Sequence, residues 1–105
     1  MPTTPYYGQP VNCSEYSNFT ATTAGTLVKT GEGVLFGITF NNPVATGVVT
    51  LYDGTSTSGT KMATITIPAS PQPFTWGQNC GGFRFSTGLF IVIATAAQDL
   101  TVGYR

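Results

Sequence analysis

The sequence predicts an all-β fold: a single antiparallel β-sandwich of about eight short strands, jelly-roll or Ig-like, with an extended N-terminal arm. Three observations predict it. From Phe19 onward no helix-length window carries a sustained stripe of apolar residues at helical spacing. Thr, Val, Ile, Phe and Gly dominate instead, and these favour strands and turns. Turn signals recur at roughly 8- to 12-residue intervals, the spacing of a sandwich.

Residues 1–18 read as the arm and residues 19–105 as the β-sandwich domain. The arm holds Pro2, Pro5 and Pro10 with Tyr6, Tyr7 and Tyr16, and shows neither a strand nor a helix period. Proline fixes φ and removes a backbone donor, so extended, polyproline-like backbone is expected there. Such a segment suits contact with a neighbouring subunit or a larger assembly.

The strands follow in order. Thr26-Leu27-Val28-Lys29-Thr30 is a short strand closed by Gly31-Glu32-Gly33. In the next, alternation places Val34, Phe36, Ile38 and Phe40 on one face and Leu35, Gly37 and Thr39 on the other. Asn41-Asn42-Pro43 ends it. Val48 to Tyr52 and Lys61 to Ile67 read as a hairpin whose polar tip begins at Asp53-Gly54. Pro68, Pro71 and Pro73 lack the N–H a ladder needs and mark a crossover. Phe74-Thr75-Trp76 reads as an edge strand, and Phe83-Arg84-Phe85 as a short strand with both phenylalanines on one face. Leu89 to Thr95 is apolar at successive positions, as in a strand covered on both sides. Leu100 to Tyr104 alternates and closes the chain. The expected core is Phe36, Ile38, Phe40, Leu51, Ile65, Ile67, Leu89, Ile91, Ile93, Leu100 and Val102.

Composition narrows the function. Charged residues are 8% of the 105, with four cations, four acids and no histidine. Four scattered cations neutralise few phosphates, so nucleic acid is not an expected partner. Without histidine there is no imidazole base, no His-based triad and no His-ligated metal. The longest apolar run, Leu89 to Ala94, falls far short of the ~20 residues of a membrane helix. Met1-Pro2-Thr3-Thr4-Pro5 has neither the basic nor the apolar region of a secretory signal. Asn12-Cys13-Ser14 and Asn18-Phe19-Thr20 are therefore read as chance matches to the glycosylation pattern.

Candidate chemistry is sparse. Glu15, Glu32, Asp53 and Asp99 are far apart in sequence, and each sits beside turn residues, where a carboxylate usually accepts from local backbone. A calcium loop at Asp53-Gly54-Thr55-Ser56 has a single carboxylate, against the six to eight oxygens calcium takes. Cys13 and Cys80 permit one bridge, and a cytosolic product favours free thiols. Gly31-Glu32-Gly33 and Gly81-Gly82 are followed by neither a GK[ST] nor a helix, and read as turns rather than phosphate loops. No cofactor or catalytic residue is expected. Of the aromatics, Tyr52 and Trp76 suit a protein interface or a glycan-stacking platform, with half-buried packing as the plain alternative.

A wider pattern runs through Thr26-Leu27-Val28-Lys29-Thr30-Gly31 and Gly33, and through Leu51-Tyr52-Asp53-Gly54-Thr55-Ser56 and Gly59-Thr60-Lys61. It continues in Pro73-Phe74-Thr75, Phe85-Ser86-Thr87-Gly88-Leu89 and Asp99 to Arg105. This pattern resembles a family of small β-sandwich proteins encoded in the structural-gene regions of tailed bacteriophages and prophages. It excludes the arm and Gly77 to Gly82. The resemblance implies a capsid decoration (cement) protein or another small virion component, made in the bacterial cytoplasm and placed on the capsid surface. Its implied partners are the major capsid protein and itself, as a homotrimer, without nucleic acid or membrane. The arm residues Pro2, Pro5, Tyr6, Tyr7, Pro10 and Tyr16 are the expected contacts. The alternative is a tail or fibre component, or a glycan-binding module using Tyr52 and Trp76.

Overall fold

The computed structural model describes residues 15–77 and 82–105. Among the described residues nine strands form: β1 (Glu15–Phe19), β2 (Thr23–Thr30), β3 (Gly33–Asn42), β4 (Val48–Asp53), β5 (Thr60–Thr66), β6 (Phe74–Trp76), β7 (Phe83–Phe85), β8 (Gly88–Ala94) and β9 (Asp99–Tyr104). They make two antiparallel sheets with the apolar core between them. Sheet A runs β1-β9-β3-β6, with the short β7 also paired to β3, and sheet B runs β2-β8-β4-β5.

The pairings are nested in sequence: β4 with β5, β3 with β6 and β7, β2 with β8, and β1 with β9. The chain is thus one long antiparallel ribbon rolled so that its limbs alternate between sheets. That is the jelly-roll order, which decides between the two sandwich topologies the sequence leaves open.

The arm boundary moves. Residues 15–18, read from sequence as part of the arm, belong to β1, which pairs along β9 from Glu15↔Tyr104 to Phe19↔Leu100. Phe19 packs against the core and anchors the strand. The partner of β1 is the far end of the chain, so no local pattern reveals it. Pro2, Pro5, Tyr6, Tyr7, Pro10 and Cys13 lie outside the described residues, as does Cys80.

Ten of the eleven expected core residues are buried, from Ile38 to Val102. The exception is Phe36, which is half-buried while Leu35 takes its place in the core. The cause is a bulge in β3. Leu35 pairs with Tyr104 and Gly37 with Gly103, so Phe36 has no partner and the alternation flips across it. Gly37 sits at φ 138°, a conformation that favours glycine. Val49 and Phe85 complete the core.

Strand β8 is also not covered on both sides. Leu89, Ile91 and Ile93 face the core, whereas Phe90 and Val92 point outward and are half-buried. Phe74-Thr75-Trp76 does lie at a sheet edge, on the free side of β3. The β4–β5 hairpin forms as read, and the proline segment carries the chain from sheet B to sheet A.

Candidate functional site

The candidate features are two outer sheet faces and one tied end of the sandwich. On sheet B, alternation turns Leu27, Val48, Thr50, Tyr52, Phe90 and Val92 away from the core. Register aligns them, with Leu27 and Tyr52 flanking Phe90 and Thr50 beside Val92. The Tyr52 and Phe90 rings meet edge to face at 6.3 Å. Gly25 lies under Phe90, where a Cβ would overlap the ring. Leu27 is 40% exposed. Along this row the only charge among the described residues is Lys61, opposite Tyr52 at the rim.

The outer face of sheet A differs in chemistry. Tyr16 and Asn18 project from β1, Thr101 from β9 and Thr39 from β3, aligned by register. Tyr16 is 75% exposed. Asn18 Nδ2 donates to Asp99 Oδ1 and Thr101 Oγ1, both at 3.1 Å, and to Leu100 O at 2.9 Å. From the other side Asn41 Nδ2 donates to Asp99 Oδ1 at 3.3 Å and to Thr101 Oγ1 at 3.1 Å.

Trp76 and Tyr52 are not brought together. Trp76 pairs with the buried Ile38, so it faces the core side of sheet A, whereas Tyr52 faces outward on sheet B. One face of the indole is stacked on Phe83 at 5.5 Å. The pair therefore does not form a joint stacking platform.

Asp53 is committed elsewhere than to calcium. Its carboxylate accepts from the backbone N–H of Ser86 (3.0 Å), Thr87 (2.9 Å) and Gly88 (3.5 Å), and from Ser86 Oγ (3.2 Å). These donors, led by Ser86 and then Thr87, hold its pKa below the usual carboxylate value. The contact is to backbone, as read from the sequence, but not to local backbone. It ties the end of β4 to the turn that leads from β7 in sheet A to β8 in sheet B.

Gln98 ties the end of the sandwich. It is 1% exposed. Its Oε1 accepts from Val44 N at 2.7 Å, and its Nε2 donates to Val44 O at 2.9 Å and Ala96 O at 3.4 Å. The two loops it joins each hold a threonine in the left-handed region, Thr46 at φ 66° and Thr95 at φ 75°.

Sequence reasoning missed Gln98, the Asn18–Asp99–Asn41 row and the outward face of Phe90 and Val92. The row comes from three strands distant in sequence, so only sheet register assembles it. Against protein-family models, curated proteins and solved structures, the chain finds no match.

Proposed function

We propose that the chain is a non-enzymatic structural protein of a bacteriophage virion: a capsid decoration protein that binds the outer capsid surface and stabilises contacts between capsomers. The observation that carries this reading is the outer face of sheet B. Leu27, Val48, Thr50, Tyr52, Phe90 and Val92 share one largely apolar outward face, exposed at Leu27 and half-buried elsewhere, with Lys61 at its rim. Covering such a surface releases ordered water at roughly 25 cal/mol per Å². With zero formal net charge, identical copies crowd together without mutual repulsion.

In this reading sheet B packs copy against copy in a homotrimer. The Pro/Tyr-rich residues before β1, with Pro2, Pro5, Tyr6, Tyr7 and Pro10, attach to the major capsid protein. Tyr16, on the edge strand that follows them, lies at the margin of that contact. The protein is made in the bacterial cytoplasm and works on the virion, without cofactor, nucleic acid or membrane. Jelly rolls recur in viral capsid and lectin domains, a fold-level analogy that supports the reading without deciding it. The adhesion alternative, in a tail, fibre or glycan-binding role, keeps Tyr52 as a half-buried outward ring. It loses most of the appeal of Trp76, whose face Phe83 occupies.

Two variants test the proposal. Deleting residues 2–14 leaves β1 intact and should abolish occupancy on particles that lack the protein, read by gel densitometry and particle imaging. Leu27→Asp should convert trimer to monomer by sedimentation. Full occupancy by the truncated protein together with an unchanged oligomer in Leu27→Asp would refute the assignment.

A further inference from the structure

The outer face of sheet A carries a row of hydrogen-bond acceptors beside an exposed aromatic ring. Asp99 and the main-chain carbonyl of Leu100 only accept, so the bonds they receive orient the Asn18 amide with its NH2 inward and Oδ1 away from Asp99. Asn41 is oriented the same way by Asp99. Among the described residues no donor meets Asn18 Oδ1, Asn41 Oδ1 or Asp99 Oδ2. Thr101 Oγ1 accepts from both amides, which leaves its own O–H to donate.

The row spans β1, β9 and β3. Strands lie about 4.8 Å apart, so its ends stand roughly 10 Å from each other. Tyr16 is two residues from Asn18 on the same face, and its cross-strand neighbour Gly103 has no side chain to cover the ring. Threonines Thr39 and Thr75 continue the uncharged polar surface beside Thr101.

We propose that this face binds a neutral saccharide. One sugar ring stacks its C–H face on Tyr16. Hydroxyls of the chain donate to Asn18 Oδ1, Asp99 Oδ2 and Asn41 Oδ1, and the Thr101 hydroxyl donates to a sugar oxygen. Three acceptors with one donor match hydroxyl groups, which can serve as either. A hard cation fits poorly, because the single carboxylate already spends Oδ1 on two amides and calcium takes six to eight oxygens. The Asp99 charge disfavours acidic sugars and phosphates.

This site lies on the sheet opposite the face that carries the virion reading; Tyr16 is the residue the two readings share, and Asn41, which the virion reading does not use, separates them. The test takes the full chain to an array of neutral and sialylated oligosaccharides, then titrates the strongest neutral hit into 15N-labelled protein. A neutral oligosaccharide should bind, with amide shifts centred on Tyr16, Asn18, Asn41, Asp99 and Thr101. Tyr16→Ala and Asn41→Ala should each weaken binding at least tenfold, and Tyr16→Phe should retain it because the ring, not the hydroxyl, stacks. If Tyr16→Ala does not fold, Asn41→Ala decides the case. The proposal is overturned by any of four results: no neutral hit, undiminished binding in Asn41→Ala, shifts confined to sheet B, or the same shifts produced by calcium alone. Asn41→Ala should keep wild-type occupancy on particles, so a failure here is distinguishable from a failure of the virion assignment.

Discussion

Replacing Gln98 with alanine tests how one end of the jelly roll is held. The side chain is almost fully buried and makes two short bonds to Val44, through N–H and C=O, with a third, longer one to Ala96 O. Truncation orphans the part-buried Val44 N–H and leaves the Val44 C=O with only the longer bond from Gly47 N at 3.4 Å. One orphaned group costs about 1–3 kcal/mol before the loop relaxes, and the weakened carbonyl adds to it. The side chain also ties together two loops that contain Thr46 and Thr95 at positive φ, and strain of that kind persists only where surroundings impose it. With the tie cut, both loops are free to relax, which returns part of the loss and sets the expected net cost at about 2 kcal/mol. A chain of this length is stable by about 5–15 kcal/mol, so the variant should remain folded with a clearly lowered denaturation midpoint. Guanidinium unfolding followed by tryptophan fluorescence measures it through Trp76. A loss below about 0.5 kcal/mol, the range of an ordinary surface change, would show that water replaces the amide freely and that the tie is not structural.

Three further outcomes follow from the packing. Ile91→Ala empties a fully buried position in central strand β8 and should cost about 2–5 kcal/mol in the same unfolding assay; a cost near zero would mean the residue does not face the core. Thr95→Gly removes a β-branched side chain from a left-handed backbone and should raise the midpoint slightly, by about 0.5–1 kcal/mol, while a loss would place a needed contact on the threonine side chain. Asp53→Asn bears on pH. The carboxylate's folded pKa is held below its ordinary value of 3.8, so its contribution is complete above that value and is lost as pH falls through the lower folded pKa. Wild type should therefore lose stability on acidification below about pH 4 more steeply than Asp53→Asn. Parallel acid limbs in the two proteins would contradict the role assigned to the Ser86 and Thr87 amides.

Much of the sheet content was legible because it is local. A two-residue period places Ile65 and Ile67, or Leu100 and Val102, on one face whatever the strand pairs with. Proline and glycine punctuate turns through their own backbone limits, and the hairpin at Asp53-Gly54 followed from that. Phe36 shows where the method breaks. A bulge inserts one residue and inverts the alternation, and it arises from pairing with β9 rather than from the residues of β3 alone. The aromatics mark a second limit: Trp76 and Tyr52 suit stacking by type, but register turned one toward the core and the other outward. Gln98 gave no signal at all, since a glutamine beside Asp99 reads as surface until Val44 is brought against it.

By itself, then, the sequence determined the all-β class, the strand centres, nearly all of the core and the absence of histidine chemistry. Each of these follows from side-chain type and short-range spacing. Only the tertiary structure decided the rolled, nested pairing, the place of Glu15–Phe19 in a sheet with the C-terminal strand, the bulge in β3, the Asp53 and Gln98 ties and the acceptor row on sheet A. All of them join residues separated by tens of positions, and such contacts are set by which strands lie side by side once the apolar faces have closed on each other.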